Sequence, residues 1–176
     1  MKRLPIFLIL LAAIPVYPQN KKPMTLREVL LAELKSTHDS EEWFVPANIA
    51  VKGLTAEQAS WTDGKGNHSV GQLTYHLLFW DRWALAKFKG EDPGKFSGNN
   101  DETFVKFDEK QWADTVKQLD QVMTDLEKLV ESADDKQLAL WATTIGNLCT
   151  HNAYHVGQIL YVRKLQGSWN PEKGVK

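Results

Sequence analysis

A chain of 176 residues with 43% apolar side chains and seven tryptophans is long enough and apolar enough to pack one domain. Its 21 lysines and arginines stand against 22 aspartates and glutamates, a formal net charge of -1 that excludes the basic footprint of a nucleic-acid binder or a polybasic membrane contact. The single cysteine, Cys149, excludes an internal disulfide, so stability must come from packing and, where ligands converge, from a metal.

The first segment in chain order, residues 1–19, stands apart from the rest. "MKRLPIFLILLAAIPVYPQ" joins a basic start (Lys2, Arg3) to an apolar run of secretory rather than membrane-spanning length and a polar exit, the pattern of a signal peptide. The mature chain is then expected to begin near Gln19 or Asn20 and to reside in the periplasm or outside the cell. The stretch "IPVYPQ" lacks a small-x-small cleavage site, which leaves an uncleaved anchor as the alternative and as the only expected membrane contact. No cysteine lies there to carry a lipid.

Residues 20–170 are expected to form the domain, with 171–176 as a tail. Thr25 opens a T-L-R-E capping box followed by Leu26, Leu30 and Leu34 at helical spacing, so helix 1 begins there. Pro46 cannot donate to the helical ladder and should break it before Gly53 ends the segment. "LTAEQASWTDGKGNHS" reads as a loop, with Ser69 as the N-cap of helix 2. That helix runs from Val70 to Phe88 on a stripe of Val70, Leu73, Leu77, Trp80, Ala84 and Phe88.

The connection "KGEDPGKFSGNNDETF" is too long for a simple turn, and should cross the bundle or line a site. Helix 3 is expected from about Asp108, with Trp112, Val116, Leu119, Met123, Leu126 and Val130 on one face. After "SADDKQLALWATT", helix 4 is expected over Ile145–Leu165, closed by Gly167. Four amphipathic helices without a strand make the fold class all-α, a four-helix bundle whose long connections argue against the plain up-down-up-down order.

Within helix 4, "HNAYHVGQI" places His151 and His155 one turn apart on the stripe of Leu148, Ile159 and Val162. Two imidazoles on a core stripe need partners for four ring nitrogens, which a divalent metal or a polar cluster with bound water would supply. A third imidazole, His76 in "LTYHLLFW", lies on the flank of helix 2's apolar face; together the three would leave open coordination positions. His38, before the helix 1 break, and His68, in a glycine-rich loop, read as surface residues. Cys149 lies well round the helix from His151 and reads as a buried thiol. Gly146, Ala153 and Gly157 line the opposite face, where glycine suits a close approach by another helix of the chain or by a second copy of it.

Four stretches together resemble the DinB-like superfamily of metal-binding four-helix bundles: "VKGLTAEQA" at Val51–Ala59, "HSVGQLTYHLLFWDR" at His68–Arg82, "NNDETF" at Asn99–Phe104 and "HNAYHVGQILYVRKLQGSW" at His151–Trp169. The resemblance covers nearly all of the expected domain and is most specific in its last block. It implies an up-down-down-up bundle, often a homodimer, with His76, His151 and His155 as ligands of a divalent transition metal such as zinc, nickel or iron. Members of that family include thiol-dependent S-transferases and a thiol-using isomerase, while others are assigned only as metal-dependent hydrolases.

For an exported chain without a supply of cytosolic thiol, the resemblance points first to a hydrolase of a small molecule. A non-catalytic, metal-stabilised bundle is the alternative, and S-transfer ranks third. A zincin-type protease is not expected, because Asn152 stands where the H-E-x-x-H pattern has its glutamate. Asp81, next to Arg82, reads as half of a solvated charge pair, and Asp101 and Glu102 as loop or capping residues; none is assigned as a catalytic base. Gln158, Tyr154 and Asn152 are candidates to orient the imidazoles, Gln158 the best placed by angle. Trp80 is the tryptophan expected at a pocket wall.

Overall fold

The computed structural model describes residues 22–104 and 109–173, so the expected signal segment and Asp108 lie outside the described residues. Six α-helices follow in chain order: α1 (Leu26–His38), α2 (Ala47–Val51), α3 (Ala56–Ser60), α4 (Val70–Lys89), α5 (Glu109–Ser132) and α6 (Asp135–Leu165). Among the described residues there is no strand. The long helices α1, α4, α5 and α6 form the four-helix bundle, and α2 and α3 are short pieces in the link between α1 and α4.

Local sequence explains the helix starts. Thr25, Thr55, Ser69 and Asp134 each accept a hydrogen bond from the amide three residues on, and the Glu or Gln at that position bonds back to the capping amide. Two of these boxes correct the expectations from sequence. Thr55 and Gln58 open α3 inside the stretch read as a loop. Asp134 and Gln137 open α6 at Asp135, well before the expected start at Ile145. The first turns of α6 put Leu138, Trp141, Ala142 and Ile145 against the core at helical spacing, but the exposed apolar residues Ala139 and Leu140 beside them blur that stripe in the sequence. There the cap marked the start more sharply than the periodicity did.

The direction of each helix follows from contacts at its ends. Arg27, at the start of α1, donates to the carbonyls of Val130 and Glu131 at the end of α5 (2.9 and 2.8 Å) and faces Asp135 at the start of α6 (3.6 Å). Helix α1 thus runs against α5 and alongside α6. On α4, His76 meets His151 while Phe88 meets Trp141, so α4 runs against α6. The order is up-down-down-up, with α1 and α4 each packed between α5 and α6. Because α4 and α5 point the same way, the chain between them must return along the bundle, which accounts for its length.

The core is the sum of the stripes. Leu30 and Leu34 from α1, Leu73 and Leu77 from α4, Leu119 and Leu126 from α5, and Ile145 and Ile159 from α6 are buried together. Each such side chain contributes roughly 1.5–3 kcal/mol on leaving water. Cys149 is buried among them, and burial, the largest cause, pushes its thiol up to about 12. The close approach expected at Gly146 and Gly157 is not made by any described part of the chain, since a methyl group at either position would meet nothing within 4 Å.

Candidate metal centre

Helix α4 carries His76 two turns beyond its Ser69 cap, and α6 carries His151 and His155 one turn apart on the side that faces α4. The antiparallel packing brings the three rings together. The Nε2 atoms of His76 and His151 are 3.0 Å apart. The His155 ring lies 4.6 Å from that of His76 and 4.5 Å from that of His151, centroid to centroid. One ring nitrogen from each lies within 4.8 Å of the others, a group that could hold a metal ion.

Neighbouring hydrogen bonds decide which nitrogen faces inward. Thr103 gives its hydroxyl proton to the carbonyl of Asn100 (2.6 Å), so its Oγ1 accepts from Nδ1 of His76 (2.6 Å). Gln158 donates through Nε2 to the Tyr154 hydroxyl (3.1 Å), which turns its Oε1 to accept from Nδ1 of His155 (2.7 Å). Asn152 donates through Nδ2 to both carboxyl oxygens of Asp81 (3.0 and 3.2 Å), leaving its Oδ1 for Nδ1 of His151 at a longer 3.4 Å. The rings of His76 and His155 then carry their proton on Nδ1 and leave the Nε2 lone pair free, the longer Asn152 contact favours the same tautomer in His151, and one nitrogen of each ring lies within 4.8 Å of the others.

Two such lone pairs 3.0 Å apart repel one another, and a cation between them removes the repulsion. The donor set therefore fits a divalent transition metal. Electrostatics agree, because burial pushes His76 down to about 3 and His155 to about 4, each helped by the neighbouring imidazoles. Burial also lowers His151, against the opposing bond from Asn152. The neutral form, the one that ligates, is thus favoured at ordinary pH.

The long connection after α4 lines the site as well as crossing the bundle. Thr103 is buried, and Phe104 stacks on the His76 ring at 4.2 Å with His68 stacked on its other face at 3.8 Å. His68 is thus half-buried rather than on the surface. Beside the three histidines opens a cavity of about 460 Å³, walled by Trp80, Trp83, Ala84 and Leu148 and edged by Asn100, Thr144 and Asn147. Trp80 lines it as expected. Asp101 and Glu102 are exposed and do not line it.

Two readings from sequence are corrected. Asp81 is not half of a solvated pair: it is fully buried, bound to Asn152, and burial pushes its carboxyl up to about 7. His38 is not a surface residue either: at 3% exposure its Nδ1 meets Glu127 (2.7 Å) and its Nε2 meets Asp120 (3.0 Å). Both residues could have been found by helical arithmetic, since Asp81 follows Leu77 and His38 follows Leu34 by one turn on buried stripes. Thr103 had no such signal, being brought to His76 by the path of a connection.

An all-helical bundle with three imidazoles converging from facing helices defines a class of candidate metal-centre proteins. A model of the DinB superfamily matches residues 47–159, well over half of the chain and all three histidines, so the chain belongs to that superfamily. No curated protein and no solved structure matches it.

Proposed function

We propose that this chain is an exported, metal-dependent hydrolase of a small molecule, with His76, His151 and His155 as ligands of a zinc, nickel or iron ion. The observation that carries the reading is the convergence of three imidazoles, one nitrogen of each within 4.8 Å of the others, beside an open cavity of ligand size. A divalent ion held there would polarise a carbonyl or phosphoryl oxygen and acidify water. Thr103, Gln158 and Asn152 keep the imidazoles oriented, and Trp80 and Trp83 give the cavity an apolar wall. Export rests on the segment "MKRLPIFLILLAAIPVYPQ", and cell fractionation of the untagged chain tests it.

One observation favours a second reading, the non-catalytic metal-stabilised bundle. Among the described residues no carboxylate lines the cavity, so these walls supply no base to manage the proton in hydrolysis. Rates with 4-nitrophenyl acetate, an anilide and a phosphodiester separate the two, measured on protein loaded with each metal. Turnover abolished both by a chelator and in His151→Ala, His155→Ala protein supports the hydrolase. Tight metal binding without turnover on any of these bond types assigns the chain to the second reading.

A further inference from the structure

From the walls of the same cavity we infer the class of molecule it takes: a one- or two-ring molecule with an uncharged, flat apolar body and a single nitrogen or oxygen donor directed at the histidines. The inference rests on the metal-centre reading above and adds to it the nature of the ligand. Trp80 and Trp83 from α4 and Leu148 from α6 form apolar walls beside the imidazoles. The tryptophan platform is held in place: Phe79 meets Trp80 edge-on at 5.2 Å, Phe96 does so at 5.1 Å, and Trp83 packs at 5.9 Å. Such fixed indole faces favour a flat partner in offset or edge contact.

Charge narrows the class further. Apart from the three histidines, none of the described residues lining the cavity is ionisable, and the other polar groups among them are Asn100, Thr144 and Asn147. A carboxylate or ammonium carried on the body of the ligand would lose its hydration without gaining a partner, which is costly. Lys87 lies against Trp83, 5.2 Å from its ring centroid, and is not among the lining residues. The volume of about 460 Å³ suits one or two rings, and the amides at the edge can bond one neutral polar substituent.

The test uses the full domain loaded with cobalt(II), whose visible spectrum reports coordination, and three probes: imidazole, 4-phenylimidazole and 4-(imidazol-4-yl)benzoate. All three share a ligating nitrogen and differ in body and charge. The inference expects 4-phenylimidazole to bind at least tenfold more tightly than the other two and to quench tryptophan fluorescence. Trp80→Ala and Trp83→Ala should weaken 4-phenylimidazole more than imidazole and so reduce that preference; the comparison of probes on the unaltered protein stands even where a variant fails to fold. Equal binding of imidazole and 4-phenylimidazole, or preference for the carboxylated ring, overturns the ligand class alone. Protein that takes up no cobalt overturns the metal reading and the inference with it.

Discussion

Two buried histidine groups hold helices together in this bundle, and their neighbours put them in opposite protonation states. His76, His151 and His155 join α4 to α6, while His38 joins α1 to Glu127 and Asp120 of α5. Both groups satisfy a distance criterion for holding a cation, the second through His38, Asp39 and Glu127. Around the triad, however, the Nδ1 atoms meet neutral oxygens of Thr103, Asn152 and Gln158, so lone pairs face inward. Around His38 both ring nitrogens meet carboxylates. Burial lowers its pKa, yet the bonds to Glu127 and Asp120 outweigh burial and raise it. Two facing carboxylates thus favour the protonated His38 ring, with an N–H donor towards each. What a buried histidine can do is set by the atoms its far nitrogen touches.

The largest expected effect separates the two groups directly. Replacing His76, or His151 and His155 together, by alanine should weaken metal binding by at least about 100-fold, whereas His38→Ala should leave it within about twofold, as measured by competition with a chelating dye. The reverse pattern should appear in stability. His38→Leu should cost about 2 kcal/mol at pH 6 in urea unfolding, a figure kept low because the Asp120 partner is half exposed. Its pH dependence has a definite sign: a raised folded pKa adds stability that is complete below the ordinary value of 6.5 and is lost as pH rises through the folded value. The difference between wild type and His38→Leu should thus shrink by pH 9. A difference that grows with pH would mean that His38 is held neutral.

Two smaller effects sharpen the comparison. Thr103→Val removes the acceptor that fixes the His76 tautomer and should weaken metal binding about tenfold, with little change in unfolding of the metal-free protein. Unchanged affinity would show that the Thr103 contact does not orient the ligand. Asp81→Asn keeps an acceptor for Asn152 but removes a carboxyl that burial has raised to about 7. With the folded pKa above the ordinary 3.8, the wild type loses stability as pH rises from about 3.8 to about 7 and little beyond that. The advantage of the variant over the wild type should therefore grow by roughly 2 kcal/mol between pH 5 and pH 8.

Much of this was legible in the sequence because stripes and caps are local. The stripe from Trp112 to Val130 marked α5, Ser69 marked the start of α4, and the four-residue spacing of His151 and His155 put both on the face that meets His76. The early part of α6 was missed because the exposed Ala139 and Leu140 blur the stripe of Leu138, Trp141 and Ala142, although Asp134 and Gln137 spelled a cap. Thr103 and the charged surroundings of His38 were out of reach for a different reason. Their partners lie 27, 82 and 89 residues away along the chain, and only packing brings them together. Asp81 lay between these cases: its burial was readable from Leu77, but its bond to Asn152 was not.

One buried histidine group of this bundle is built to ligate and the other to carry charge. Elemental analysis of the mature chain, purified without a histidine tag or chelating column, tests it most directly beside the His151→Ala, His155→Ala and His38→Ala variants. The account predicts about one divalent ion per chain in the wild type and in His38→Ala, and none in the double variant. No ion in the wild type after incubation with zinc, nickel or iron(II), or an ion lost only with His38, would contradict it.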